Sequence, residues 1–165
     1  MGFKLSILLA LVTLFMDPCD KKPRNIELRD VPEACSSEVG RMFVRVKGRM
    51  QPASAITCRN HPGGRRCETA ISTESGEDVV PVLIKGSEKR DGQTRYESVL
   101  VGPKGVSGGS LDPYTVSFDD TELFDRNGIV VDHVNGLVDL SGSLRVNEDT
   151  KRCSLLVLHV ESGTK

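Results

Sequence analysis

"VRVKGRM", residues 44–50, alternates apolar and polar side chains around a glycine, and "VDLSGSL", residues 138–144, repeats the form V-x-[VL]-x-G-x-[ML]. Period-two alternation sends one row of side chains toward a core and the other toward water, which is the signature of a half-buried strand. A glycine inside such a strand marks a bulge, a sharp bend or a close backbone approach. Two strands with the same interruption, nearly a hundred residues apart, imply a body in which strands bend around a common interior.

The surrounding sequence agrees. Met42, Val44 and Val46 alternate with Phe43, Arg45 and Lys47. Val79–Lys85 (VVPVLIK) is an apolar run whose Pro81 lacks an amide donor, which assigns it to a sheet edge. Arg95–Val101 is rich in β-formers, and Tyr114, Val116 and Phe118 alternate with Thr115 and Ser117. Val138, Leu140, Leu144 and Val146 alternate with Asp139, Ser141, Ser143 and Arg145. Cys153–Val160 (CSLLVLHV) is almost wholly apolar, as a strand buried on both faces would be. Gly-bearing turns at Arg90-Asp91-Gly92, Arg126-Asn127-Gly128 and Asn135-Gly136 separate these runs. A short helix over Pro32–Val39 is expected from Asp30 as N-cap, Pro32 in the first turn and Gly40 as the stop. The expected class is all-β: a single-domain β-sandwich or small barrel of seven or eight strands, with one short N-terminal helix.

The repeated V-x-[VL]-x-G-x-[ML] form resembles the coiled strands of OB-type barrels, and this resemblance implies a small closed barrel rather than an open sandwich.

The first residues have a different chemistry. Met1–Lys4 is short and basic, and Leu5–Met16 (LSILLALVTLFM) is apolar but for Ser6 and Thr13. This is the layout of a secretory signal peptide, and it is shorter than the about 20 residues needed to span a bilayer. Residues 1–18 are therefore read as a signal peptide, 19–30 as a polar tether and 31–165 as the β domain. The small-x-small pattern of general signal peptidase is missing before Asp17. Instead, Cys19-Asp20-Lys21-Lys22-Pro23 resembles the start of a mature bacterial lipoprotein, in which a cysteine is thioether-linked to diacylglycerol. Met16, Asp17 and Pro18 stand where that family has Leu and two small residues. The resemblance implies lipidation at Cys19 and a membrane held through the lipid; in enteric members an Asp after the cysteine, here Asp20, implies retention at the inner membrane.

The chain has five cysteines: Cys19, Cys35, Cys58, Cys67 and Cys153. An odd count in an exported chain leaves one thiol over. With Cys19 acylated, the other four can form two disulfides in an oxidising compartment. Three pairings are open. Cys58 with Cys67 closes a short, turn-rich loop and would leave Cys35 with Cys153.

Bulk properties narrow the function. About 145 residues remain after the leader, enough for one core. A net charge of −1 excludes a broadly basic, nucleic-acid-gripping surface. After the leader the aromatics are Phe43, Phe118, Phe124, Tyr96 and Tyr114, too few for the stacking platforms of single-strand binders. No nucleic-acid partner is expected.

Cys58-Arg-Asn-His61-Pro-Gly-Gly-Arg-Arg-Cys67 is the most distinctive loop. Arg59, His61, Arg65 and Arg66 are its candidate contacts for an anionic partner, weighed against plain solvation of a loop tip. A zinc site using His61 would need four ligands and reduced thiols, so no metal is expected. Gly105-Val-Ser107-Gly-Gly109 matches the nucleophile-elbow form, but Ser110-Leu-Asp-Pro113 cannot continue the helix such a serine requires. Asp119, Asp120, Glu122 and Asp125 lack the spacing of an EF-hand loop. His133 and His159 lie in strand-like runs and read as structural. No catalytic residue and no cofactor are expected. The sequence thus reads as an exported, lipid-anchored binding or assembly module of the cell envelope, meeting an envelope protein or component that the sequence does not identify, through loops such as Arg59–Arg66 and Gly102–Ser110. The alternative is a freely secreted effector or inhibitor whose disulfide loop is the active surface.

Overall fold

The computed structural model describes residues 22–36, 42–51, 56–61, 64–88, 99–102, 114–146 and 151–163. The leader, Cys19, the Arg90–Gly92 turn and Ser107 lie outside them.

Alternation sets the buried face of the two strands that share the glycine form. In β2 (Phe43–Met50) Val44, Val46 and Met50 point inward, and in β10 (Leu137–Val146) Val138, Leu140 and Leu144 do. These strands lie antiparallel to one another, from Val138 opposite Gly48 to Ser143 opposite Phe43. Their glycines are where the sequence expects close approach. A side chain at Gly48 would run into the Ser72 carbonyl oxygen, and one at Gly142 into that of Leu156. Pairing of β10 with β11 (Cys153–Gly163) slips between Ser141 and Gly142, so Leu158 has no partner in the ladder.

Three more pairings close a ring. β11 runs parallel to β5 (Val80–Glu88), with Leu155 opposite Val82. β5 is antiparallel to β4 (Gly64–Ser72) from Arg65–Gly86 to Ile71–Val80. β4 returns to β2 through Ser72–Arg49 and Ile71–Met50. The circuit β2–β4–β5–β11–β10 is a five-stranded barrel, and of the two all-β alternatives this is the closed one. Its interior holds Val44, Val46, Met50, Ile71, Val82, Val138, Leu140, Leu144, Leu155 and Val160.

β4 and β5 extend past the ring. Where β2 leaves β4, β3 (Ile56–His61) takes its place; where β11 leaves β5, β6 (Val99–Gly102) does. β7 (Tyr114–Val116) flanks β3, and β8 (Glu122–Phe124) with β9 (Val130–Val131) flanks β6. Ile56, Val116, Phe118, Leu123 and Val131 from this extension join the same core. The β8–β9 turn is built on Asp125, whose carboxylate accepts the Asn127 and Ile129 amides at 2.8 Å each.

Within residues 24–36, β1 (Arg24–Asn25) pairs with β2, the Ile26 amide donates to the Arg45 carbonyl, and Leu28 and Val31 are buried. The one short helix that the sequence expects is present as α1 (Val31–Ser36); residues 37–39 of its expected span lie outside the described residues. Two expectations need correction. β5 is an interior strand, not an edge; Pro81 sits near its start, before β11 joins at Val82, where no second partner asks for its missing amide. β11 is buried on one face only, because the slip at Gly142 turns Leu158 outward to 49% exposure.

Cys35 is bonded to Cys153 and Cys58 to Cys67. Of the three open pairings, the one with the short hairpin loop is present. The first bond ties α1 to the start of β11; the second lies between β3 and β4, buried in the core.

Candidate functional site

The Cys58–Cys67 segment is a strand pair with a short connection, not a loop. Cys58 faces Cys67, Arg59 faces Arg66, Asn60 faces Arg65 and His61 faces Gly64. Successive residues of a strand point to opposite sides of the sheet. The register therefore divides the four candidates that the sequence grouped together. Arg59 and Arg66 share the outer face and are exposed. Arg65 turns to the side that carries the disulfide, where its Nε donates to Asn60 Oδ1 at 3.4 Å. His61 ends β3 opposite Gly64; its side chain lies outside the described residues.

A residue outside the sequence motif completes the outer row. Lys85 on β5 stands directly opposite Arg66 and is exposed. Its alternation with Ile84 already marked it as outward-facing. Its alignment with Arg66 depends on pairing between strands with no local sequence signal. The next row on the same face is Thr57, Glu68 and Leu83, so one acid borders the three cations.

Elsewhere on the barrel a cation is neutralised within the sheet. Arg45 on β2 donates to Asp139 of β10 at 2.8 Å and to Glu161 of β11 at 2.7 Å. The hydrogen bond to Asp139, followed by the pull of both carboxylates, raises its pKa against partial desolvation. No such carboxylate meets Arg59 or Arg66 among the described residues.

The acidic residues do not converge. Asp119 and Asp120 lie in a 3-10 turn, Glu122 in β8, and Asp125 in the following turn. Among the described residues no group of His, Cys, Asp and Glu is placed to hold a metal ion. His133 is 4% exposed, its Nε2 lies 3.1 Å from Thr121 Oγ1, and its ring sits 4.9 Å from that of Phe118. The Thr121 hydroxyl donates to the Phe118 carbonyl at 2.7 Å, so the ring nitrogen is placed to donate to the Thr121 oxygen. Burial pushes the His133 pKa down; hydrogen bonds at the Val131 and Phe118 backbone and the charges of Asp132 and Asp119 oppose that shift. His159 is exposed and packs edge-on against Phe43 at 6.5 Å.

The two disulfides point to an oxidising, exported environment. Among the described residues no helix is long and apolar enough to cross a membrane. No known protein family, curated protein or solved structure matches this chain.

Proposed function

We propose that the protein is an exported binding or assembly module, held at the cell envelope by a lipid on Cys19 and without catalytic activity. The observation that carries this reading is the pairing of the cysteines. Two disulfides account for Cys35, Cys58, Cys67 and Cys153, and the remaining cysteine of the sequence is Cys19. It follows an apolar leader and precedes a short polar stretch that ends where β1 begins at Arg24. A thiol left over beside a leader in an exported chain is where the lipoprotein resemblance implies acylation. The closed five-strand ring supports an OB-type reading of the body, a scaffold that presents contacts on strand faces and loops.

A freely secreted, non-acylated form is the second reading, favoured by Met16, Asp17 and Pro18 in place of a complete lipobox. Metabolic labelling with palmitate separates the two. Label in the wild-type protein that vanishes in Cys19→Ser supports the anchor; an unlabelled wild-type protein in the culture fluid supports secretion.

A further inference from the structure

Arg59, Arg66 and Lys85 come from three strands and form one transverse row on the outer face of β3, β4 and β5. Neighbouring strands lie about 4.8 Å apart, so the row is about 10 Å long. Like charges directly opposite on a sheet destabilise it. An arrangement that keeps Arg59 across from Arg66, with no described carboxylate on either, suits an external anion. Cys58–Cys67, the adjacent register pair on the inner face, ties β3 to β4 and fixes the spacing of the two arginines before any ligand arrives.

We propose that this row docks the barrel on anionic phospholipid headgroups and thereby orients it against the membrane. The inference deepens the membrane-anchored role proposed above, and its test is read independently of acylation. The charge of the face selects the occupant. On β3, β4 and β5 the described residues around the row are Arg59, Arg66, Lys85, Thr57, Glu68 and Leu83, with no aromatic to stack a base. Beyond Lys85 the same face continues onto β8 and β9 with Phe124 and the exposed Val130, an apolar border beside the cations. The three cations are exposed on a sheet face, whereas small-molecule sites are concave. What such a face can hold is an extended surface of phosphodiesters, for which two guanidinium forks are matched donors. Glu68 repels that surface from one side, so contact is directed toward the His61–Gly64 end of the hairpin.

The test uses the full chain carrying Cys19→Ser, so that no acyl chain contributes. Partition is measured between vesicles of phosphatidylglycerol and phosphatidylcholine in equal parts and vesicles of phosphatidylcholine alone. A Lys or Arg near an anionic surface contributes about fivefold in affinity. The expected result is a preference for the anionic vesicles that falls about 25-fold in Arg59→Gln/Arg66→Gln. Arg145→Gln, exposed on β10, leaves it unchanged. The thermal midpoint of the double variant should be no lower than wild type, since a repulsive pair has been removed. Equal partition into both vesicle types overturns the proposal. So does a preference that survives in the double variant, a lowered midpoint that makes the arginines structural, or binding of an oligonucleotide or acidic polysaccharide in place of vesicles. Vesicle preference without palmitate label on wild-type Cys19 keeps the row and sinks the anchor; label without vesicle preference does the reverse.

Discussion

His133 and Gly142 show how much a single residue can carry in this barrel. The His133 ring is buried against Phe118 and bonded to Thr121, and its burial favours the neutral imidazole. Its pKa in the folded protein lies below that of the unfolded chain, so between the two values the unfolded state binds more protons. Stability from this group is present above the unfolded pKa, about 6.5, and is lost as pH falls below it. Thermal midpoints taken from neutral pH down to about pH 5 should fall in the wild type and fall less steeply in His133→Asn. Identical slopes would show that the ring titrates freely. Gly142 approaches the Leu156 carbonyl too closely for any Cβ. Gly142→Ala must push two paired strands apart, and a loss of about 2–3 kcal/mol is expected in urea unfolding. An unshifted midpoint would mean that the strands separate easily there.

At the scale of elements, the two disulfides constrain chains of very different length. Cys35–Cys153 spans 118 residues of sequence and Cys58–Cys67 spans 9. Loop-closure entropy then assigns about 4–5 kcal/mol to the first and about 2–3 kcal/mol to the second. The Cys35→Ala/Cys153→Ala variant should therefore unfold at clearly lower urea than Cys58→Ala/Cys67→Ala, and the reverse order would contradict this. The shorter bond has a different consequence: losing it frees the register of Arg59 against Arg66, so Cys58→Ala/Cys67→Ala should weaken anionic-vesicle binding while the fold is retained. Intact binding in that variant would show that the hydrogen-bonded ladder alone fixes the pair. These elements also mark what the sequence could disclose. Period-two alternation in Val44–Met50 and Val138–Leu144 identifies the inward residues, because facing is a local property of a strand. The glycines within those runs are legible for the same reason. Pairing partners are not local. Pro81 therefore suggested an edge, though β5 has neighbours on both sides, and CSLLVLHV suggested burial on both faces, though a one-residue slip exposes Leu158. The cationic row was half legible: Arg59 and Arg66 come from one motif, whereas Lys85 joins them only through the β4–β5 register.

Across the whole molecule, the barrel, its two bonds and its N-terminal segment form one arrangement. The chain docks from Arg24 onward, with Leu28 and Val31 in the core, so few residues separate Cys19 from the folded body. A lipid at Cys19 would hold the barrel close to a bilayer, and the cationic row would orient it there. The net charge of −1 makes that row a local feature, and raised salt should weaken its contribution while leaving acyl anchoring intact. The claim beneath all of this is that the chain is exported and matures with an acylated Cys19 and two disulfides. Intact mass spectrometry of the native protein, with iodoacetamide added before any reduction, tests it in one spectrum. The expected species is a chain beginning at Cys19, heavier by a diacylglyceryl group, with no alkylated thiol. A full-length chain that takes up five alkyl groups would contradict it.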